Sequence, residues 1–419
     1  MVMGLAHSPR ISTDGLVFYC DQNNIKSYKG PAVQNIAAAI GHANYTATGI
    51  SITGGYETID IPQLGQSNTT FSIIQNNYTS FTPNSGDCCP TPIGYGNGVA
   101  VTPSTLYTYA IVYKVESGYT NANYMYRYEY ASNGGAYVGE AGIHSESNRI
   151  HLGNGWYWAW GTFTTNALTN WLGYHGAFYY RYSNLSDKFS VAKVLICKGD
   201  FTALHPKYWV DANTTRTASQ AFLDLTGRRT VTITGTPTYA TDGTFTFNSS
   251  GSTTFNLGPG TNFLPMPSFT FEAWIKTSGL GSGMTLNGIF GFTYGLRLAA
   301  TTSGSIAFLV GNDTTTFVNI GTTGVNVNDN AWHHVVGVKN GDASATIYVD
   351  GVSRASVTPT AGWNGTNPWA AMDVQIGRDL NDSPYFFNGR IEAPKVYNRA
   401  LTALEVKQNF NALKGRFGL

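Results

Sequence analysis

Cleaving a glycosidic bond takes two carboxyl groups about 5 to 10 Å apart, an acid and a base or nucleophile. The carboxylates of this 419-residue chain do not form that pattern locally. Glu140 and Glu146 in "GEAGIHSE" are six residues apart across an expected turn, while Glu272 and Glu392 each stand alone in a strand-like segment. His333 and His334 are adjacent, so on a strand they point to opposite faces and cannot chelate one metal together. One is expected to be packed and the other exposed. Cys88-Cys89-Pro90 in a Pro/Gly/Asn-rich loop is no redox Cys-x-x-Cys pair. The chain also lacks a Gly-rich phosphate loop, a Gly-x-Ser-x-Gly elbow and a His-Glu-x-x-His run. The expectation is a protein that is not an enzyme.

Recognition has a stronger signal. In "GNGWYWAWGTFTT" three tryptophans, Trp156, Trp158 and Trp160, fall at every second position and share one face of a strand. Phe163 on the other parity suits a core, and Thr162 and Thr164 on the tryptophan parity suit solvent. That register turns the indoles outward, with Ala159 and Gly161 leaving room in the core for large partners. An outward indole row marks an interaction surface, either a platform for sugar rings or a contact with a subunit or domain. A bulge at Gly161 would reverse the parity and bury the row. Trp171, Tyr174, Tyr179 and Tyr180 add aromatic surface nearby. The candidate glycan or subunit contacts are Trp156, Trp158, Trp160, Trp171 and Tyr174.

The positioning elements read as strands. The composition is 42% hydrophobic and 14% aromatic but only 12% charged. β-branched and aromatic residues suit pleated surfaces, and abundant Gly and Asn suit turns. Short strand-like segments recur between turns, from "TLYTYAIVYKVE" to "FNGRIEAPKVYN". One helix is expected, in "TALEVKQNFNALKG". Thr402 and Glu405 form its capping box, Leu404, Phe410 and Leu413 recur at helical spacing, and Gly415 can end it. A net charge of +1 without a Lys/Arg run argues against nucleic acid. The basic pairs in "TGRRT" and "LKGR" read as a solvated turn and a helix end. No segment offers the roughly 20 apolar residues of a membrane span. The N-terminus lacks a secretory pattern, so synthesis in a reducing cytoplasm is expected.

Two segments are similar, "DGLVFYCDQNNIKSYKGPAVQNIA" from Asp14 and "HPKYWVDANTTRTASQAFLDLTG" from His205. Each runs from an aromatic strand through an Asp/Asn stretch to a hydrophobic step. They suggest two modules, 14–204 and 205–419, each opened by such a lead-in. Residues 1–13 lack a packing pattern and would form a docking arm that orders on another protein.

"WHHVVGVKNGDASATIYVDGVSRAS", "SFTFEAWIKT" and "FNGRIEAPKVYNRALTALEVKQNF" closely resemble the laminin-G-like, concanavalin-type jelly roll over about 240–419. Trp274, Ile275, Val335, Val336, Ile347 and Val349 fit its core, and Asp350-Gly351 fits a hairpin turn with positive φ. The family often holds Ca²⁺ at a rim, for which Asp379, Asn381 and Asp382, or Asn312 and Asp313, are the oxygen donors available. A turn role is favoured for them, and no metal or other cofactor is assigned. "GNGWYWAWGTFTT" with "SVAKVLICKGDFTALHPKYW" is similar to carbohydrate-module-like jelly rolls of tailed-phage virion proteins.

The expected fold is therefore all-β, two antiparallel jelly-roll β-sandwiches in tandem with a short C-terminal helix. The resemblance implies a non-catalytic structural protein of a phage virion, a fibre, spike or surface-decoration component assembled in the host cytoplasm. Its implied partners are other virion proteins, host-surface glycan and further copies of itself, with a trimer favoured, and neither nucleic acid nor membrane. Alternatives are an extracellular bacterial glycan-binding adhesin and, below it, a glycan-cleaving enzyme.

Overall fold

The computed structural model describes residues 10–24, 26–37, 50–62, 70–83, 99–117, 125–132, 135–142, 148–172, 179–180, 188–201, 204, 206–211, 214–239, 244–263, 266–281, 283–292, 296–311, 317–359, 373–379 and 385–419. The fold is all-β with one short helix near the C-terminus, as expected. It divides into two units.

The C-terminal unit gathers residues 10–30 with 218–239 and 244–419. Its six-stranded sheet runs Leu16–Tyr19, Arg390–Tyr397, Ser268–Lys276, Trp332–Asn340, Ser344–Val349, Val352–Val357. Its seven-stranded sheet runs Thr232–Thr234, Thr254–Pro259, Asp373–Ile376, Leu286–Phe292, Leu296–Thr301, Ile306–Gly311, Phe317–Gly321. Strand alternation builds the core between them. Phe255, Ile376, Phe290, Leu298, Phe308 and Ile320 are successive cross-strand partners, all buried. Phe271 of the facing sheet stacks on Phe290 at 5.0 Å. Burying each such ring contributes about 1.5–3 kcal/mol. Gly337 is required here, because a Cβ there would lie 2.8 Å from the Phe308 ring.

The other face of the six-stranded sheet lies under helix α1 (Ala403–Leu413) and the turn that follows it. Thr402 and Glu405 form the anticipated capping box. The buried face of α1 is Val406, Asn409 and Phe410, whereas Leu404 is 83% exposed. Leu404 precedes the stripe that reaches the sheet, so helical spacing by itself misassigned it. The chain continues through Gly415 as a 3₁₀ turn and ends it at left-handed Gly418. Phe410 and Phe417 stack on Trp274 at 5.6 and 4.2 Å. The six expected core residues are all buried, but Trp274 lies beneath the helix and Val336 shares that face. Arg416 lies at the helix end, as expected, and there binds Asp21 at 2.9 Å. Asp350 and Gly351 have φ of 54° and 73°, the hairpin geometry anticipated.

The proposed 14–204 and 205–419 modules do not follow the packing. Leu16–Tyr19 pairs with Arg390–Tyr397, so the first strand closes the edge of the last sandwich. Residues 31–217 form the other unit, inserted after that strand. Nor is the N-terminal arm wholly free of packing. Arg10 O accepts from Gln408, Ser12 N donates to Asn409, and Ser12 Oγ bonds Glu405.

The two lead-ins share a real motif, but their halves are exchanged between units. In the C-terminal unit, Asp224 Oδ1 accepts from Tyr19 N and from Thr226 N, and Leu225 N donates to Tyr19 O. In the inserted unit, Asn35 Oδ1 accepts from Ile196 N and from Ala37 N, and Ile36 N donates to Ile196 O. Each buried Asp/Asn thus fastens the end of a strand, Leu16–Tyr19 or Lys188–Lys198, to the "hydrophobic step" seen in the sequence.

The inserted unit holds a six-stranded sheet, Ile50–Pro62, Thr70–Pro83, Lys188–Lys198, Leu106–Ser117, Trp156–Thr164, Arg149–Gly153. A second sheet orders Tyr179–Tyr180, Met125–Tyr130, Trp171–Leu172 and Val99–Ala100, with Tyr137–Gly142 also paired to Met125–Tyr130. The long hairpin 50–83 was not anticipated, although "ISITGGYETIDIP" alternates in its second half.

Two outcomes are expected. Because Lys29 N donates to Ala221 O at 2.8 Å, the C-terminal unit leaves and re-enters at adjacent points. Replacing residues 31–217 with a short Gly-Ser linker should give a cooperatively unfolding protein with intact near-UV circular dichroism; a molten product would refute this autonomy. Asp224→Ala should cost the C-terminal unit about 3 kcal/mol in urea denaturation, since several backbone donors lose a charged acceptor, and Asp224→Asn should cost less.

Candidate functional site

The tryptophan row does not form a platform. Trp156 and Trp158 are both 0% exposed, and Trp160 is half-buried against Trp158 with ring centroids 4.6 Å apart. No bulge causes this. The ladder with Leu106–Ser117 runs unbroken from Trp156 opposite Lys114 to Thr164 opposite Leu106. Parity is as expected, with Thr162 and Thr164 exposed and Phe163 buried. Both faces of the strand are covered at its Trp156 end, which alternation along one strand cannot reveal. Gly161 makes room for Tyr109, whose hydroxyl would be 2.6 Å from an added Cβ.

Trp171 belongs to a different aromatic row. It pairs with Ala100 on one side and Tyr130 on the other, and Tyr130 pairs with Tyr137. Directly paired residues share a face. The adjacent row of paired residues, Val99, Leu172 and Glu129, is the inward one, and all three are buried. Ala100, Trp171, Tyr130 and Tyr137 therefore line the outward face. Tyr137 is 55% exposed, Ala100 is exposed, and Trp171 and Tyr130 are half-buried. Trp171 Nε1 is enclosed without a hydrogen-bond partner, so the indole turns its polar edge inward. Tyr130 and Tyr137 meet edge to face at 5.8 Å and 71°.

The 165–170 loop leads from the strand Trp156–Thr164 into Trp171. Glu129, buried, accepts from Asn166 N and Thr169 Oγ1, while Thr165 Oγ1 donates to Thr102 O at 2.6 Å. Asn170 N donates to Tyr130 O and accepts at its own carbonyl from Val101 N. Held this way, the loop leaves Leu168 67% exposed beside exposed Asn166 and Asn170. The sequence reading reached Trp171 but missed Tyr130, Tyr137 and Leu168. Their signal lies in strand register, which sequence spacing does not carry. Tyr174 lies outside the described residues.

Two of the carboxylates considered above, Glu272 and Glu392, are engaged in buried ion pairs. Glu272 is buried, accepts from Lys395 Nζ at 2.7 Å and Asn409 Nδ2 at 2.6 Å, and has His334 Nε2 3.2 Å away. Burial pushes its carboxyl up, but Lys395 and His334 outweigh that and hold it at about 2. Glu392 is buried against Arg390 at 2.7 Å, and desolvation raises it. Glu140 lies in a strand, and Glu146, Cys88 and Cys89 lie outside the described residues. The two histidines divide as expected: His334 is fully buried beside Trp274, and His333 is partly exposed between Asp350 at 2.9 Å and Asp329 at 3.2 Å.

A calcium site fits poorly at Asp379. That carboxylate is buried and receives Arg297 Nη1 at 3.0 Å, which takes an oxygen a cation would need. Asn312, Asp313, Asn381 and Asp382 lie outside the described residues. Among the described residues no group of three His, Cys, Asp or Glu side chains could hold a metal, and no helix is long and apolar enough to cross a membrane. Cys20 and Cys197 are free and buried, and desolvation raises both thiols, Cys197 to about 12.

Residues 248–407 match the concanavalin A-like lectin/glucanases superfamily, in its laminin G form. Among solved structures, domain 4 of a GH43 extracellular arabinanase from Geobacillus stearothermophilus, in complex with arabinotriose, is 20% identical, with a TM-score of 0.36 over 44% of this chain and 91% of that one. The CBM40 of a Ruminococcus gnavus sialidase, bound to α2,3-sialyllactose, is 16% identical, with a TM-score of 0.29 over 33% and 80%. The receptor-binding domain of botulinum neurotoxin mosaic serotype C/D is 16% identical, with a TM-score of 0.35 over 46% of this chain and 48% of that one, so about half of the toxin domain is spanned. No curated protein matches the chain.

The clasp at His333 carries a pH dependence. Its hydrogen bond to Asp350 raises the imidazole above its usual value, with burial opposing and Asp329 adding. The stabilisation is full below about 6.5, the unfolded value, and is lost as pH rises through the higher folded value. The melting temperature of the C-terminal unit should fall over that window, and His333→Gln should flatten the profile.

Proposed function

We propose that this chain is a non-catalytic recognition protein that binds glycan through the outward row Trp171–Tyr130–Tyr137, and that it serves as a fibre, spike or surface-decoration component of a tailed-phage virion. The observation that carries the binding role is the row itself. Three aromatic side chains on three adjacent strands face outward, backed by a buried row and a hydrogen-bonded loop. Rings held by paired strands lose little further entropy when a sugar's C–H face stacks on them.

The non-catalytic role is supported by the fate of the carboxylates. Glu272 and Glu392 each face a cation under cover, so neither offers the acid or base of a hydrolase. The virion role rests on the resemblance of "GNGWYWAWGTFTT" and "SVAKVLICKGDFTALHPKYW" to phage structural modules, and assembly with other virion proteins and with further copies of this chain is part of it.

A glycan array probed with the full chain should give hits that disappear in Trp171→Ala and persist in Trp160→Ala. An array blank for the unmodified protein would leave the architectural role alone. Release of reducing ends from bacterial surface polysaccharide would overturn the non-catalytic assignment. Immunogold labelling of particles should place the chain on the virion surface.

A further inference from the structure

The geometry points to a specific class of ligand for the aromatic row: a single, soluble, neutral glycan chain that bends as it crosses the strands. This inference rests on the glycan-binding reading above.

The length comes from the strands. Tyr137, Tyr130 and Trp171 sit on three neighbouring strands. At about 4.8 Å between strands, the row spans roughly 10 Å. A pyranose ring with its linking oxygen occupies about one strand spacing, so a chain laid across the strands meets one ring per sugar. Exposed Ala100 beyond Trp171 leaves the row open at that end.

The bend comes from ring orientation. The rings of Tyr130 and Tyr137 are 71° apart, so they form a step and not a plane. A flat crystalline polysaccharide surface needs coplanar rings and would touch only one of the two. A chain whose successive sugars turn can place one C–H face on Tyr130 and the next against Tyr137.

The neutrality comes from charge. Residues 99–106, 129–140 and 165–172 hold no Lys or Arg and two acids, Glu129 and Glu140, the latter opposite Tyr128. The Glu129 carboxylate is buried and bonded to the loop behind the row. The exposed residues described on these segments, among them Thr102, Ser104, Ser132, Asn166, Leu168 and Asn170, are uncharged. An acidic sugar would leave its carboxylate without a cation on these segments, and anion recognition ordinarily uses Arg.

Calorimetry with the full chain would use neutral gluco-, galacto- and N-acetylglucosamine oligosaccharides of increasing length, their uronic-acid counterparts, and depletion onto crystalline cellulose and chitin. Affinity should rise about tenfold or more from the monosaccharide to about three units and then level off. Tyr137→Ala, an exposed position, should flatten that rise while circular dichroism stays unchanged. The crystalline surfaces should retain nothing, and acidic chains should bind more weakly than neutral ones. Equal affinity for the monosaccharide, retention on crystalline surfaces, or preference for acidic chains would each overturn the inference while leaving glycan binding intact. Absence of binding to every glycan tested would instead overturn the reading on which it rests.

Discussion

The C-terminal sandwich depends on one buried carboxylate gripping the backbone of a strand far away in sequence. Asp224 receives the amide of Tyr19 and the amides of Thr226, Arg228 and Arg229. Tyr19 belongs to a four-residue strand whose own ladder is short and irregular. Short edge strands hold few hydrogen bonds of their own. Without Asp224 the first strand would have to stay docked across the interruption by residues 31–217 on that ladder and on neighbouring bonds such as Arg416 to Asp21. Asn35 plays the same part for Ile196 in the inserted unit, with an amide where Asp224 has a carboxylate. The repeated step in the sequence is therefore a fastening, used once in each unit.

The buried charges of the C-terminal unit follow from the same economy. Glu272, Lys395 and Asn409 satisfy one another where helix α1 covers the sheet. Removing one member would leave an unpaired charge in a dry site, which is far more costly than never having placed the pair. This arrangement fixes how the helix seats. It also takes the Glu272 carboxylate away from solvent.

The exposed aromatic row lies in the inserted unit. The sequence draws attention to Trp156, Trp158 and Trp160, and the fold encloses the first two. The aromatic surface it exposes instead is assembled from three strands, Met125–Tyr130, Tyr137–Gly142 and the more distant Trp171–Leu172. Each contributes one ring, so no stretch of the chain advertises the row. Its support is also non-local: Glu129 on one strand anchors the loop that leads to Trp171 on the next.

Local patterns in the sequence determined a good deal. Alternation gave the all-β class, Asp350-Gly351 gave a hairpin, and Thr402 with Glu405 gave the start of the helix, because each rests on backbone geometry within a few residues. Tertiary structure decided the rest. It chose Arg390–Tyr397 as the partner of Leu16–Tyr19, turned Leu404 to solvent, covered both faces at Trp158 and aligned Trp171 with Tyr130 and Tyr137. Side-chain direction along a strand is a covalent consequence of the pleat, whereas what lies opposite that direction is set by which strands pair and what packs over them.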